Sequence, residues 1–118
     1  MTMENINKIV NDQMKLCAKY GSQFCPPSPS LLASVSKNIG EKDLPLQGLR
    51  HPLEGASGWF LWRGEFSLAE DFFEVVHLYH VYEGVEPVIP YLALAPGWTF
   101  FLQSDFEDVW FDESLLEV

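Results

Sequence analysis

Basic residues are scarce in this chain and, past residue 58, nearly missing: Arg63 is the only lysine or arginine between 59 and 118. Twelve acidic groups share that half, a local net charge of −11, whereas residues 1–58 carry six basic and five acidic groups, net +1. A surface of that sign repels phosphate backbones and anionic headgroups, so neither nucleic acid nor a membrane is expected as a partner. It attracts a basic protein and steers its approach at low ionic strength. Acidic surfaces also serve solubility alone, so charge names a partner class without demanding one.

Other absences narrow the field. Two cysteines, Cys17 and Cys25, are too few for a disulfide scaffold. No apolar run approaches the roughly 18 residues of a membrane span, and the polar start, residues 1–7, does not read as a signal peptide. The expected location is therefore the cytoplasm, where both thiols are reduced. Cys17 falls on the apolar side of the first helix and reads as a small packed hydrophobe.

Chemistry-bearing motifs are missing as well. His77 and His80 are three residues apart, with His51 elsewhere. On a helix the pair would share one face, and on a strand it would not. There is no HExxH and no closely spaced cysteine pair, so no metal site is expected. Gly55, Gly58 and Gly64 form no phosphate cradle. Cys25 or Ser57 paired with a histidine would lie outside any motif that positions a nucleophile. The carboxylates Glu70/Asp71 and Glu107/Asp108 are adjacent in sequence and diverge in extended chain. The reading is of a protein without catalysis or cofactor.

What is present is enough for a real core. The 118 residues, 47% apolar and with four tryptophans, suit one domain that needs neither disulfide nor metal to fold. Residues 4–20 read as an amphipathic helix, with Ile6, Ile9, Val10, Met14, Leu16, Cys17 and Tyr20 near one stripe and Gly21 as its stop. Residues 21–30, with Pro26, Pro27 and Pro29, form a loop. Residues 31–37 alternate like a strand, although Ser30 could equally cap a short helix. Residues 38–54 hold Gly40, Pro45, Gly48 and Pro52 and read mostly as loop, with Leu44, Leu46 and Leu49 as apolar pins. Residues 58–64 form a short strand, aromatic on both faces and hence central. A strand over 72–76 passes into a helix by about Leu78, and residues 85–92 read as helical with Pro87 in the first turn.

The stretch at the centre of the pattern runs from Pro90 to Leu102, where the Pro96-Gly97 turn launches an aromatic run. Strands at 99–103 and 108–111 pair around 104–107, and 114–118 is a short tail. The expected fold is α+β: a small, mainly antiparallel sheet packed against the N-terminal helix and a second short helix.

Because strand neighbours alternate faces, some of the rings beside Trp59, Trp62, Trp98 and Trp110 must point outward. Outward aromatics beside carboxylates make an anchor patch for a protein. Asp105, Glu107, Asp108, Trp110, Asp112 and Glu113 form the candidate partner-binding group.

Several blocks occur in a fixed order. They are Gly48-Leu49-Arg50-His51-Pro52, Ser57-Gly58-Trp59-Phe60-Leu61-Trp62-Arg63-Gly64-Glu65 and Asp71-Phe72-Phe73, followed by Pro90 to Trp98 and by Glu107-Asp108-Val109-Trp110-Phe111-Asp112. The series resembles the immunity protein thirty-three-like domain of bacterial polymorphic-toxin loci over about residues 31–118. The N-terminal helix and the Pro26-Pro27 loop lie outside the match. The resemblance implies a cytoplasmic, non-enzymatic protein that binds and neutralises a cognate toxin; it supplies no interface residues. The charge fits a basic toxin, a nuclease being one case. The competing reading is a general adaptor domain with no toxin partner.

Overall fold

The computed structural model describes residues 3–117. Helix α1 (Met3–Tyr20) is followed by β1 (Leu32–Ser36), β2 (Leu46–Arg50), β3 (Trp59–Arg63), β4 (Phe73–His77) and α2 (Leu78–Gly84). A 3₁₀ helix (Glu86–Tyr91), β5 (Trp98–Gln103), β6 (Phe106–Phe111) and a last 3₁₀ turn (Glu113–Leu116) complete the chain. The strands form one sheet in the order β4-β1-β3-β2-β5-β6, antiparallel throughout except for β1 beside β3. The expected α+β class is the one observed.

Register decides what each strand shows to each side. One face carries Ala33, Val35, Leu46, Trp59, Leu61 and Phe100, all buried, and packs against Leu78, Val81, Val88, Leu92 and Cys17. The other carries Phe60, Trp62, Leu49, Phe101, Asp108 and Trp110, because residues paired across neighbouring strands share a face. Loop residues lie over part of this second face. His51 reaches the edge of Phe60, and Phe66, from residues 64–72, lies against Trp62 and Phe73.

Strand β2 corrects the sequence reading of 38–54 as mostly loop. It occupies the third-from-edge position between β3 and β5. Its Gly48 is an interior strand residue because a Cβ there would lie 2.5 Å from Phe100 and 2.7 Å from Leu61. Pro45 and Pro52 stand outside the strand rather than break it. The helix stripe also shifts. Gln13 is buried at its centre, donating Nε2 to Ile89 O (2.9 Å) and Tyr82 Oη (3.2 Å), whereas Met14 and Ile6 are exposed. Cys17 is buried as expected. Gly21, at φ +86°, closes the helix by donating to Cys17 O.

Residues 86–91 are 3₁₀ rather than α: Val88 N donates to Val85 O and Leu92 N to Ile89 O, while Pro87 and Pro90 have no N–H to donate. The hairpin is also tighter than 104–107: only Ser104 and Asp105 separate the paired Gln103 and Phe106. Ser104 takes φ +51°, the left-handed value that two-residue hairpins use at their first central position. The expected tail carries the 3₁₀ turn Glu113–Leu116.

Both arginines are buried, and neither meets a carboxylate among the described residues. Arg50 donates Nε to Ser57 O (2.9 Å) and Nη1 to Cys25 O (2.7 Å) and Leu94 O (2.6 Å). It thereby fastens the Pro-rich loop and the chain just past the 3₁₀ helix to β2. Arg63 donates to Ile39 O (2.9 Å) and Leu44 O (3.1 Å). Burial lowers the pKa of each guanidinium from its ordinary value.

Candidate functional site

The β5–β6 hairpin places the six sequence-selected residues. Gly97, at φ +98°, starts it, and any Cβ there would lie 2.4 Å from Phe111. From that start the register sets Leu102 opposite Glu107, Phe101 opposite Asp108 and Thr99 opposite Trp110. Glu107 therefore faces the helices, while Asp108 and Trp110 face the open side with Phe106. Asp105 is exposed at the hairpin tip, and Asp112 and Glu113 lie beyond the strand's far end. The structure brings together Asp108 and Trp110 and separates Glu107 from them.

The carboxylates also differ in what they hold. Glu107 accepts hydrogen bonds from the Tyr20 and Tyr91 phenols and from Lys19 Nζ (3.1 Å), joining α1 and the 3₁₀ helix to β6. Burial raises its pKa, but the three donors outweigh burial and hold the carboxyl below its ordinary value. Burial, then the bond to Glu107, pushes both phenols up. Asp112 Oδ1 accepts from Ser114 N (3.0 Å) and Ser114 Oγ (2.6 Å), capping the last 3₁₀ turn. Asp105, Asp108 and Glu113 make no hydrogen bond or ion pair among the described residues. They are the members of the group free to meet a partner.

Sequence reasoning missed a second acidic and aromatic cluster on the same face. Phe66, 51% exposed, packs edge-on to Trp62 at 5.5 Å, beside the exposed Glu65. Phe101 links it to the hairpin, meeting Phe106 edge-on at 6.0 Å and lining an open cleft with Trp62, Phe66 and Glu65. The usable signal was an acidic segment, Glu65 to Asp71, directly following an aromatic strand.

Charge is one-sided here. Arg63, the single lysine or arginine of residues 59–117, is buried, so that half shows neither type to solvent. Lys8, Lys19 and Lys37 are paired with Asp12, Glu107 and Asp71.

His77 ends β4 and His80 sits in the first turn of α2, with ring centroids 6.4 Å apart. Among the described residues no group of three His, Cys, Asp or Glu side chains is placed to hold a metal, and no helix is long and apolar enough to cross a membrane.

Fold and surface together define an α+β domain whose sheet is closed by helices on one side and presents free carboxylates among aromatic rings on the other. The chain belongs to the Imm33-like domain family, whose model matches residues 12–112. That span takes in the second half of α1 and the Pro-rich loop, which the resemblance read from the sequence left out. No curated protein and no solved structure matches the chain.

Proposed function

We propose that this chain is a non-enzymatic immunity protein that binds a cognate bacterial toxin and neutralises it by occlusion. Family membership supports the immunity role. The observation that carries the mode of action is the surface of residues 59–117, which exposes no lysine or arginine of its own and where Asp105, Asp108 and Glu113 have no partner among the described residues and stand near the exposed rings of Phe106 and Trp110. Such a surface needs no catalytic group. It offers long-range attraction and aromatic anchors to a basic partner. A nuclease fits well, since its nucleic-acid groove is basic and carboxylates can stand in for phosphates.

The test begins with a pull-down from source-cell lysate at low salt. Retention of a basic protein with a toxin-like domain, and its release at high salt, is the expected result. With that protein purified, the triple variant Asp105→Lys, Asp108→Lys, Glu113→Lys should slow association about tenfold or more and flatten its salt dependence. Unchanged association kinetics would remove the electrostatic mechanism, and recovery of housekeeping proteins alone would favour an adaptor.

A further inference from the structure

The hairpin accounts for only one edge of the open face. At the other side of Phe101 lies a cleft of about 660 Å³ whose lining includes Trp62, Phe66, Phe101, Glu65 and Gln47. Three of these are rings, contributed by β3, by the segment after it and by β5. Glu65 has no partner among the described residues. Gln47 donates Nε2 to Gly64 O (2.7 Å), which leaves its Oε1 as an acceptor. Trp62 is 7% exposed, and its Nε1 is a buried donor with no hydrogen-bond partner among the described residues. Such an orphan is costly, and a main-chain carbonyl of a bound loop, not a guanidinium, could relieve it. The one cation in the lining, Arg63, is buried and bound to Ile39 O and Leu44 O.

We infer that the docking surface is the open sheet face as a whole, with two seats joined through Phe101: Asp108 with Trp110 and Phe106, and Glu65 with Trp62 and Phe66. Its occupant is a basic protein loop that places an arginine in the second seat. Arginine fits better than lysine because its planar guanidinium stacks on rings while pairing with a carboxylate. Charge complementarity selects this occupant: the rings are flanked by unpaired acids, and no lysine or arginine of residues 59–117 is exposed. The inference rests on the reading of the chain as a binder of a basic protein, and it adds where that protein sits.

The four tryptophans supply the test. Trp59 and Trp98 belong to the helix-covered face, Trp62 and Trp110 to the open one. In ¹⁵N-labelled protein titrated with hexa-arginine amide, the Trp62 and Trp110 indole signals should shift saturably and those of Trp59 and Trp98 should stay. Hexa-lysine amide at equal ionic strength should bind more weakly. Phe66→Ala, on an exposed side chain, and Glu65→Gln should each weaken the Trp62 response by about three- to tenfold. An unmoved Trp62 signal, or equal binding of the two peptides, would overturn the two-seat surface. Toxin capture is measured separately, so an immunity protein that docks elsewhere would retain its toxin while the Trp62 signal stays still.

Discussion

Two pairs of like residues, each split between the faces of the sheet, differ in nearly everything but chemistry. Trp59 and Trp62 are three apart on β3. Trp59 donates its Nε1 to Leu92 O at 2.9 Å, whereas the Nε1 of Trp62 has no partner among the described residues. Glu107 and Asp108 are neighbours on β6; the first is held by two phenols and a lysine, the second is exposed and unpaired. On the covered side polar groups are tied into the fold, because a buried unpaired group costs stability. On the open side Gln47 and Thr99 are tied to Gly64 O and Gly48 O, but the carboxylates of Glu65 and Asp108 stay available. A surface kept in that condition across several strands is better explained by a partner than by folding.

The comparison breaks most visibly at Arg50. Arg50→Met removes donors to three carbonyls at once, those of Ser57, Cys25 and Leu94. Leaving them unsatisfied should cost about 3 kcal/mol or more. Urea denaturation should then show a midpoint lower by about 1–3 M at an unchanged slope. An unshifted midpoint would mean that the guanidinium is not what fastens the loop to the sheet.

Glu107 is the next test, with a pH signature of its own. Its carboxyl titrates below the ordinary 4.5, so its contribution to stability is complete above that pH and is lost as pH falls through the lowered value. Tyr20 and Tyr91 titrate above the ordinary 10.0, so theirs is complete below pH 10 and lost as pH rises through the raised values. Glu107→Gln should cost about 1–3 kcal/mol at neutral pH by weakening three charge-assisted bonds. It should also flatten the acid arm of a thermal-melting profile. The alkaline arm should persist in part, since burial is the first cause of the phenol shifts.

Local patterning made much of the architecture readable. The 3.6-residue stripe of α1, the glycine-bracketed aromatic run of β3 and the change of period near Leu78 each reflect forces acting within a few residues. Strand β2 was hidden because its glycine answers to distant residues: Gly48 is small so that Phe100 and Leu61 can fill the space. Gln13 and Arg50 were hidden for the same reason, being polar residues satisfied by carbonyls remote in sequence. At the site, Asp108 and Trp110 could be grouped by alternation alone. The separation of Glu107 could not be seen, because β6 was read as starting at 108, two residues past its true start, and Tyr20 and Tyr91 gave no local sign of converging there.

The smallest expected effect is the sharpest check on the difference between the faces. Asp108→Asn removes the same charge as Glu107→Gln one residue away, but from a carboxylate with no internal partner among the described residues. It should change the unfolding free energy by no more than about 0.5 kcal/mol and leave the acid arm of the melting profile in place. Cost and pH response should therefore fall together at Glu107 and be missing together at Asp108. Were Asp108→Asn to destabilise as much as Glu107→Gln, the open face would be part of the fold's own support, and the case for a partner there would lose its foundation.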